Sequence, residues 1–362
     1  MLKNILFDNV IFDLQMSGGI SVYWKEIISR ALSESKMDSF FLESATSAGS
    51  NIFRKEVSIP LDKIIVNNSI FPLIVSRYLP VSTVNSFNIF HSSYYRYNNN
   101  KNINNITTVH DFTYEKFNKG IVKHIHSQQK KTALFNSEAI ICVSENTKND
   151  LLYYYPKLEE SKISVIHNGV GDSFFPIDNN VNFFDSSFPF EMDGFILFVG
   201  DRKSHFKNFD LVVKASKKLE IPLVLVGGGS LSKNELEFLD GSLKANRYKQ
   251  YLGIDNVCLN QLYNAALCLL YPSNYEGFGI PIIEAQKAKC PVVCAAVSSL
   301  PEVSNDHVFY FENFTDSSIV EAVKRVKNTS ISDVLNNGYI NSKRFSWQSC
   351  YERTFEVYNK FM

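Results

Sequence analysis

The sequence predicts an α/β protein of two domains, each a parallel sheet covered by helices on both faces. Three observations lead there. The chain has 362 residues, and roughly 150 residues per domain suggests two. Short apolar runs alternate with longer amphipathic ones, the pattern of strand followed by helix. An irregular stretch near the middle then interrupts the alternation.

The first half opens with an apolar run from Ile5 to Phe7 and a helical pattern from Val22 to Leu32. Runs from Ile106 to Val109 and from Ala139 to Val143 follow, each trailed by a helical pattern, from Ile121 to Leu134 and from Thr147 to Tyr155. The second half repeats the rhythm at Phe195 to Val199, Leu211 to Leu219, Leu223 to Val226, Leu267 to Leu270 and Pro291 to Ala295. Gly169 to Asp193, rich in Asp, Asn, Pro and Phe, breaks it. The expected organisation is therefore an N-terminal domain over 1–172, a linker over 173–193, a C-terminal domain over 194–345 and a final helix over 346–362. That helix carries Tyr351, Phe355, Val357, Tyr358 and Phe361 at helical spacing and is expected to pack back towards the first domain. The Asn-rich piece from Asn98 to Asn105 reads as an exposed loop.

Lys and Arg total 37, as do Asp and Glu, so the net charge is zero and bulk nucleic-acid binding is excluded. The six cysteines mostly lie in apolar runs without the short paired spacings of a zinc site, and read as reduced, buried thiols. Asp8 interrupts the first apolar run, which excludes a signal peptide or a spanning helix there, so a cytoplasmic location is expected. Lys116, Lys119, Lys123, Lys130 and Lys131 interleave with Phe117, Ile121, Val122 and Ile125. That stretch is either a solvated helix face or a peripheral contact with the inner face of an anionic cytoplasmic membrane.

Chemistry concentrates after the Leu267 to Leu270 run, in Glu276-Gly277-Phe278-Gly279-Ile280-Pro281-Ile282-Ile283-Glu284. The glycines let backbone approach a ligand, and Pro281 suits the first turn of a helix whose free N–H groups favour an anion. Glu276 before that helix and Glu284 on it are carboxylates suited to sugar hydroxyls. The competing reading is a turn whose acids are merely solvated. Upstream, Phe198-Val199-Gly200-Asp201-Arg202 and Lys207 follow a strand, so a glycine loop presents two cations able to neutralise a diphosphate. Ser17-Gly18-Gly19 opens a helix in the first domain, and Val109-His110-Asp111 ends a buried strand. No GxGxxG opens the chain and no Asp-x-Asp occurs, which disfavours hydride transfer and a phosphate-bridging metal.

These segments resemble glycosyltransferase family 4 (group 1), with its E-x7-E signature, and the likeness extends over nearly the whole chain. The resemblance implies the GT-B fold, two Rossmann-like domains with parallel sheets facing across a cleft. It also implies retaining, metal-independent transfer of a hexose from a GDP- or UDP-sugar, with no cofactor. Glu276 would meet the donor sugar, Glu284 the ribose, and Arg202 and Lys207 the leaving diphosphate, with His110 near the reacting sugar. Gly18, Gly19, Gly200, Gly277, Phe278, Gly279 and Ile280 would line the donor site, and the backbone of Leu252, Gly253 and Ile254 would meet the nucleobase. Tyr94, Tyr95 and Arg96, after His91-Ser92-Ser93, are acceptor candidates. A lipid-linked oligosaccharide of lipopolysaccharide O-antigen or capsule assembly is the expected acceptor. A nucleotide-sugar epimerase of similar fold and a catalytically inactive GT-B-like subunit of an assembly complex are the competing functions.

Overall fold

The computed structural model describes residues 4–34, 36–44, 51–67, 71–83, 87–177 and 188–362. The chain divides into two units, one formed by Met1–Gly169 with Trp347–Met362 and the other by Val170–Ser346.

The first unit is built on strands β1 (Asn4–Asp8), β2 (Asp38–Glu43), β3 (Ile64–Val66), β4 (Ile89–Ser92), β5 (Asn104–Val109), β6 (Ala139–Cys142) and β7 (Ile163–Val165). The second carries β8 (Ile196–Val199), β9 (Leu223–Val226), β10 (Tyr248–Tyr251), β11 (Cys268–Tyr271), β12 (Val292–Ala295) and β13 (Phe309–Phe311). All pairs are parallel, in the orders β3-β2-β1-β4-β5-β6-β7 and β10-β9-β8-β11-β12-β13. Sequences such as LVLV, CLLY and VVCA are buried at every position, because helices on both faces leave no side for a polar residue.

Each order reverses once, between β1 and β4 in the first unit and between β8 and β11 in the second. Open α/β sheets hold ligands at such a reversal, beyond the strand C-termini, where the flanking loops part. Asp8 and Ser92 are register partners at the first of these points. Val199 and Tyr271 end the two strands that meet at the second.

The second unit's core joins Ile196, Phe198, Leu225 and Leu270 of the sheet to Val212 and Val213 of helix Phe209–Leu219 and to Ile319 and Val323 of helix Asp316–Asn328. Each such side chain, fully buried, stabilises the fold by about 1.5–3 kcal/mol. In the first unit, helix Gly19–Glu34 buries Tyr23, Trp24, Ile27 and Ile28. The C-terminal helix, Trp347–Asn359, packs against it and buries Tyr351, Val357 and Tyr358. Tyr358 meets the His91 imidazole at 2.6 Å, and the other ring nitrogen of His91 meets the Thr108 hydroxyl at 2.9 Å.

Two expectations need adjusting. Residues 98–105 form a loop whose tip is exposed at Asn99, Lys101 and Asn102 but whose ends, Asn98 and Asn105, are buried. The Asn98 N–H donates to Asn105 Oδ1 (2.7 Å) and the Asn105 amide returns a bond to the Asn98 carbonyl (3.0 Å), so the asparagines replace backbone pairing at the entry to β5. In the expected linker, residues 178–187 lie outside the described residues. Before them, Phe174 is buried against Tyr263, and the Phe175 and Ile177 N–H groups donate to Asn260 and Asn264. All six cysteines are free, and all but Cys258 are buried.

Candidate active site

In the second unit, β8 ends at Val199 and the chain turns through Gly200, whose φ of 152° only glycine adopts readily. The following loop carries Lys207. Its ammonium donates to the Tyr271 hydroxyl at 3.0 Å and is ion-paired with Glu276. Lys207 follows β8 and Glu276 follows β11, so the sheet reversal brings together two residues 69 apart in sequence. Both side chains are mostly buried, with 14% and 13% of their surface exposed.

The loop bearing Glu276 is held from behind. The Glu276 N–H donates to Ser298 Oγ (2.9 Å), and the buried Ser299 hydroxyl donates to the Glu276 and Phe278 carbonyls at 3.0 and 2.9 Å. Phe278 is itself buried, edge-on to Phe345, so it supports the loop from the core side. Gly279 has φ 100°, which favours glycine, and a Cβ there would lie 3.0 Å from the end of the Leu300 side chain, which would have to shift. Helix Ile280–Lys287 starts after it, with Pro281 in its first turn as expected. Gly277 is buried beside it and Ile280 partly exposed.

Glu284, one turn into this helix, accepts a 2.9 Å bond from the buried Tyr263 hydroxyl. Withdrawal from water pushes its carboxyl up to about 7, against a smaller downward pull from Tyr263. Glu284 nevertheless keeps some accessible surface, as a group that meets a ligand must. Leu252 and Gly253 are exposed and Ile254 partly so, in the turn after β10, and Gly253 takes φ 60°. Asp255 then caps helix Asn256–Ala265 through the Cys258 N–H.

Arg202 departs from the expectation of a free cation. None of its side-chain surface is exposed. Nε donates to Glu235 (2.9 Å), one terminal nitrogen to the Gly227 carbonyl, and the other to the Gly228 and Gly229 carbonyls at 3.3 and 2.8 Å. The three glycines have φ of 88°, 70° and 70°, and a Cβ at Gly228 would sit 2.9 Å from the guanidinium. Arg202 therefore holds the glycine loop that follows β9, and these four bonds occupy four of its five N–H donors.

In the first unit, Gly18 and Gly19 stand at the entrance of helix Gly19–Glu34. A Cβ on Gly18 would collide at 2.5 Å with the Gln15 side chain, which accepts a bond from Ser21. His110 directly follows β5, buried and edge-on to Tyr23 at 4.9 Å. Burial brings its pKa down to about 4, so the imidazole is neutral, and its Nε2 has no hydrogen-bond partner among the described residues. The acceptor candidates are less available than expected. Arg96 is buried and ion-paired with Asp8, which also accepts from the Ser92 hydroxyl at 3.0 Å, so the guanidinium neutralises the end of β1. Tyr95 is buried, with φ 48°, and its ring lies 5.0 Å from the Lys130 ammonium. Tyr94 is partly exposed and shares a 2.9 Å hydrogen bond with His126.

The basic stripe is also smaller than the sequence implies. Lys130 is buried on Glu115 (2.8 Å) and on the Asp111 carbonyl (2.9 Å), and Lys116 pairs with Asp150 at 2.8 Å. Burial alone would raise the Glu115 carboxyl, but His126 and Lys130 together pull it down to about 2.

Tyr271, Tyr263, Glu235, Ser298 and Ser299 escape the sequence reading. The two tyrosines end or flank apolar runs and look like core, and Ser299 before Leu-Pro-Glu looks like an ordinary helix start.

Two sheets of this order on one chain are the GT-B arrangement of Rossmann-like units, and solved structures with it cover the whole protein. Sucrose-phosphate synthase from Thermosynechococcus elongatus matches with a TM-score of 0.75 and 17% identity, covering 99% of this chain and 98% of that one. The Anabaena protein HepE, in complex with UDP and glucose, gives 0.71 and 15%, covering 99% and 100%. At these identities the likeness concerns the fold. Residues 17–174 match the family described as Glycosyltransferase Family 4, and residues 180–339 match Glycosyl transferases group 1. The chain belongs to this family of glycosyltransferases. It is similar to O-antigen chain mannosyltransferase B of Escherichia coli, 31% identical over 174 residues, or 46% of this chain and 45% of that protein. The alignments with this and two further curated relatives span 45–63% of the relatives' lengths.

Proposed function

We propose that the protein is a retaining, metal-independent glycosyltransferase that moves a hexose from a GDP- or UDP-sugar to a growing lipid-linked oligosaccharide or polysaccharide. The observation that carries this reading is the meeting of Lys207, Glu276 and Tyr271 at the reversal of the second sheet, beside Glu284 on a glycine-started helix. Breaking the bond from the anomeric carbon to the phosphate oxygen leaves positive charge on the sugar and negative charge on the diphosphate. In this reading the Lys207 ammonium and the Ile280 N–H take up the second, and the Glu276 carboxylate holds sugar hydroxyls. The acceptor oxygen bonds the anomeric carbon on the face the diphosphate leaves, and its proton passes to the departing phosphate oxygen. Glu284 fits a ribose diol, because an ionised carboxylate accepts from both hydroxyls.

His110 supports the first unit's share of this reading, since a neutral imidazole with an unpartnered Nε2 suits a substrate hydroxyl. The similarity to an O-antigen mannosyltransferase favours mannose and a surface-glycan acceptor. The UDP and glucose in HepE keep UDP-sugars in the panel.

The test is nucleotide release by the purified protein in EDTA, across GDP- and UDP-sugars, with and without a membrane lipid extract. One donor yielding nucleotide and a new glycolipid, with both lost in Glu276→Ala, is the expected result. Turnover of a donor without transfer to any acceptor would favour an epimerase, and no binding of any donor would overturn the reading.

A further inference from the structure

The proposed chemistry uses His110 but not the buried polar side chains behind it. Tyr23, His91, Thr354 and Tyr358 are fully buried and Thr108 nearly so, yet each carries a hydrogen-bonding group into the core of the first unit. The Tyr358 hydroxyl meets His91 Nδ1 at 2.6 Å, His91 Nε2 meets Thr108 Oγ1 at 2.9 Å, and Thr108 Oγ1 meets the Tyr23 hydroxyl at 3.3 Å. Tyr23 is also hydrogen-bonded to the Thr354 side chain, and the Thr354 hydroxyl donates to the Cys350 carbonyl at 2.8 Å. Helix Gly19–Glu34, β4, β5 and the C-terminal helix thus share one chain of bonds. It leaves the C-terminal helix at Tyr358 and returns to it one turn earlier, at Thr354.

Counting protons gives the chain a single direction. The Thr354 hydroxyl directs its only proton to Cys350, so towards Tyr23 it accepts and Tyr23 donates. Tyr23 then accepts from Thr108, and Thr108 accepts from His91 Nε2–H. Burial, with His110 close by, brings His91 down to about 3, so its ring is neutral and its Nδ1 accepts from Tyr358. Tyr23 and Tyr358 keep their protons because burial pushes both phenols up. The chain ends against His110. Tyr23 lies edge-on to that imidazole at 4.9 Å and 79°, and a hydroxyl held from both sides fixes the ring on which His110 packs. Trp24, edge-on to Tyr23 at 5.5 Å and to His91 at 4.7 Å, closes the other side. His110 Nε2 has no partner of its own among the described residues, so the packing of the ring sets its aim. Apolar side chains of similar size would fill this core without withdrawing five polar groups from water, and what the polar chain adds is one specified arrangement.

We infer that Tyr358, His91, Thr108 and Tyr23 are positioning residues for the transfer step, a hydrogen-bonded chain through which the C-terminal helix fixes the His110 imidazole. The inference rests on the reading that His110 meets the reacting sugar. It gives the C-terminal helix a part in the reaction besides closing the core of the first unit.

The test has two arms. The first needs no activity and reads histidine tautomers from long-range proton–nitrogen correlation spectra of the full chain labelled at histidine. His91 is expected as the Nε2–H form, and Tyr358→Phe is expected to shift the His110 ring signals from the far end of the chain. An Nδ1–H form of His91, or His110 signals left unmoved, would overturn the inference whatever becomes of the transferase reading. The second arm is kinetics with the donor that the nucleotide-release panel identifies, on variants whose near-ultraviolet circular dichroism matches the parent. Tyr23→Phe, Thr108→Val and Tyr358→Phe are each expected to lower kcat about tenfold to a hundredfold with donor KM unchanged, the scale for a small misplacement of a reacting group. Thr108→Ser, which keeps the hydroxyl, is expected to retain most of the parent kcat. In a His110→Ala background the same substitutions are expected to cost nothing more, because residues that act through one group are not additive. Losses undiminished in that background would show a structural role alone and overturn the inference. Full activity in His110→Ala itself would remove the reading of His110, and the inference with it.

Discussion

Replacing Arg202 by Ala separates two roles that the sequence alone merges. In the structure the guanidinium makes four bonds, to Glu235 and to the carbonyls of Gly227, Gly228 and Gly229. Bonds to a charged donor contribute about 1.5–3 kcal/mol each when nothing replaces them. Gly227 and Gly229 are exposed, so water takes up part of the loss, and Glu235 keeps its bonds from the Ser232 N–H and hydroxyl. The expected net cost is about 2–4 kcal/mol, of which Arg202→Lys recovers little, because an ammonium cannot fork across three carbonyls. For a unit of this size each kcal/mol lowers Tm by roughly 2–4 °C. The assay is thermal unfolding of the full chain, following the transition that GDP or UDP raises, with nucleotide affinity by calorimetry on the same samples. Arg202→Ala is expected to lower that transition and to weaken nucleotide binding only as far as the glycine loop is disturbed. A variant that melts within a degree of the parent while losing a hundredfold or more in affinity would refute the reasoning, because the guanidinium would then be meeting phosphate directly.

Lys207→Met and Glu276→Gln are each expected to lower donor turnover by about 10²–10³-fold, the scale for removing one preorganised stabilising group. Equal losses in KM with unchanged kcat would place them in ground-state binding instead. Glu284 titrates near 7 in the folded chain against 4.5 ordinarily. Its contribution to stability is therefore fully present below pH 4.5 and lost as pH rises through 7, by about 1–3 kcal/mol after discounting its partial exposure. Glu284→Gln should gain that much over the parent at pH 8 but not at pH 4.5, read from urea midpoints, and a gain independent of pH would contradict the assignment. If Glu284 binds the ribose as proposed, the ionised form binds, so affinity of the parent should fall as pH drops below 7, and that of Glu284→Gln should not. Tyr358→Phe leaves a ring nitrogen of His91, neutral because burial brings its pKa down to about 3, without its partner. A loss of about 1–3 kcal/mol is expected in the nucleotide-insensitive transition, and a shift of the nucleotide-sensitive one would show the C-terminal helix supporting the other unit.

What the sequence determined by itself is whatever rests on local pattern. Runs such as Leu223 to Val226 read as buried parallel strands because they are apolar throughout and too short for a helix. Gly277, Gly279 and Pro281 mark the turn into helix Ile280–Lys287 through backbone preferences that need no knowledge of neighbours. Spacing was enough to set Glu276 and Glu284 on either side of that turn, and the family resemblance rests on the same residues. The tertiary structure alone decided which cations stay available. Arg202, Arg96 and Lys130 are indistinguishable in sequence from solvated loop or helix cations, yet each is engaged by partners on another element: Gly227 to Gly229, Asp8, and Glu115. The pairing of Lys207 with Glu276 and Tyr271 likewise depends on β8 and β11 being neighbours, a matter of strand order. The physical reason is range. Helix, strand and turn preferences act over a few residues, whereas the charge state and accessibility of a side chain depend on what the fold packs against it.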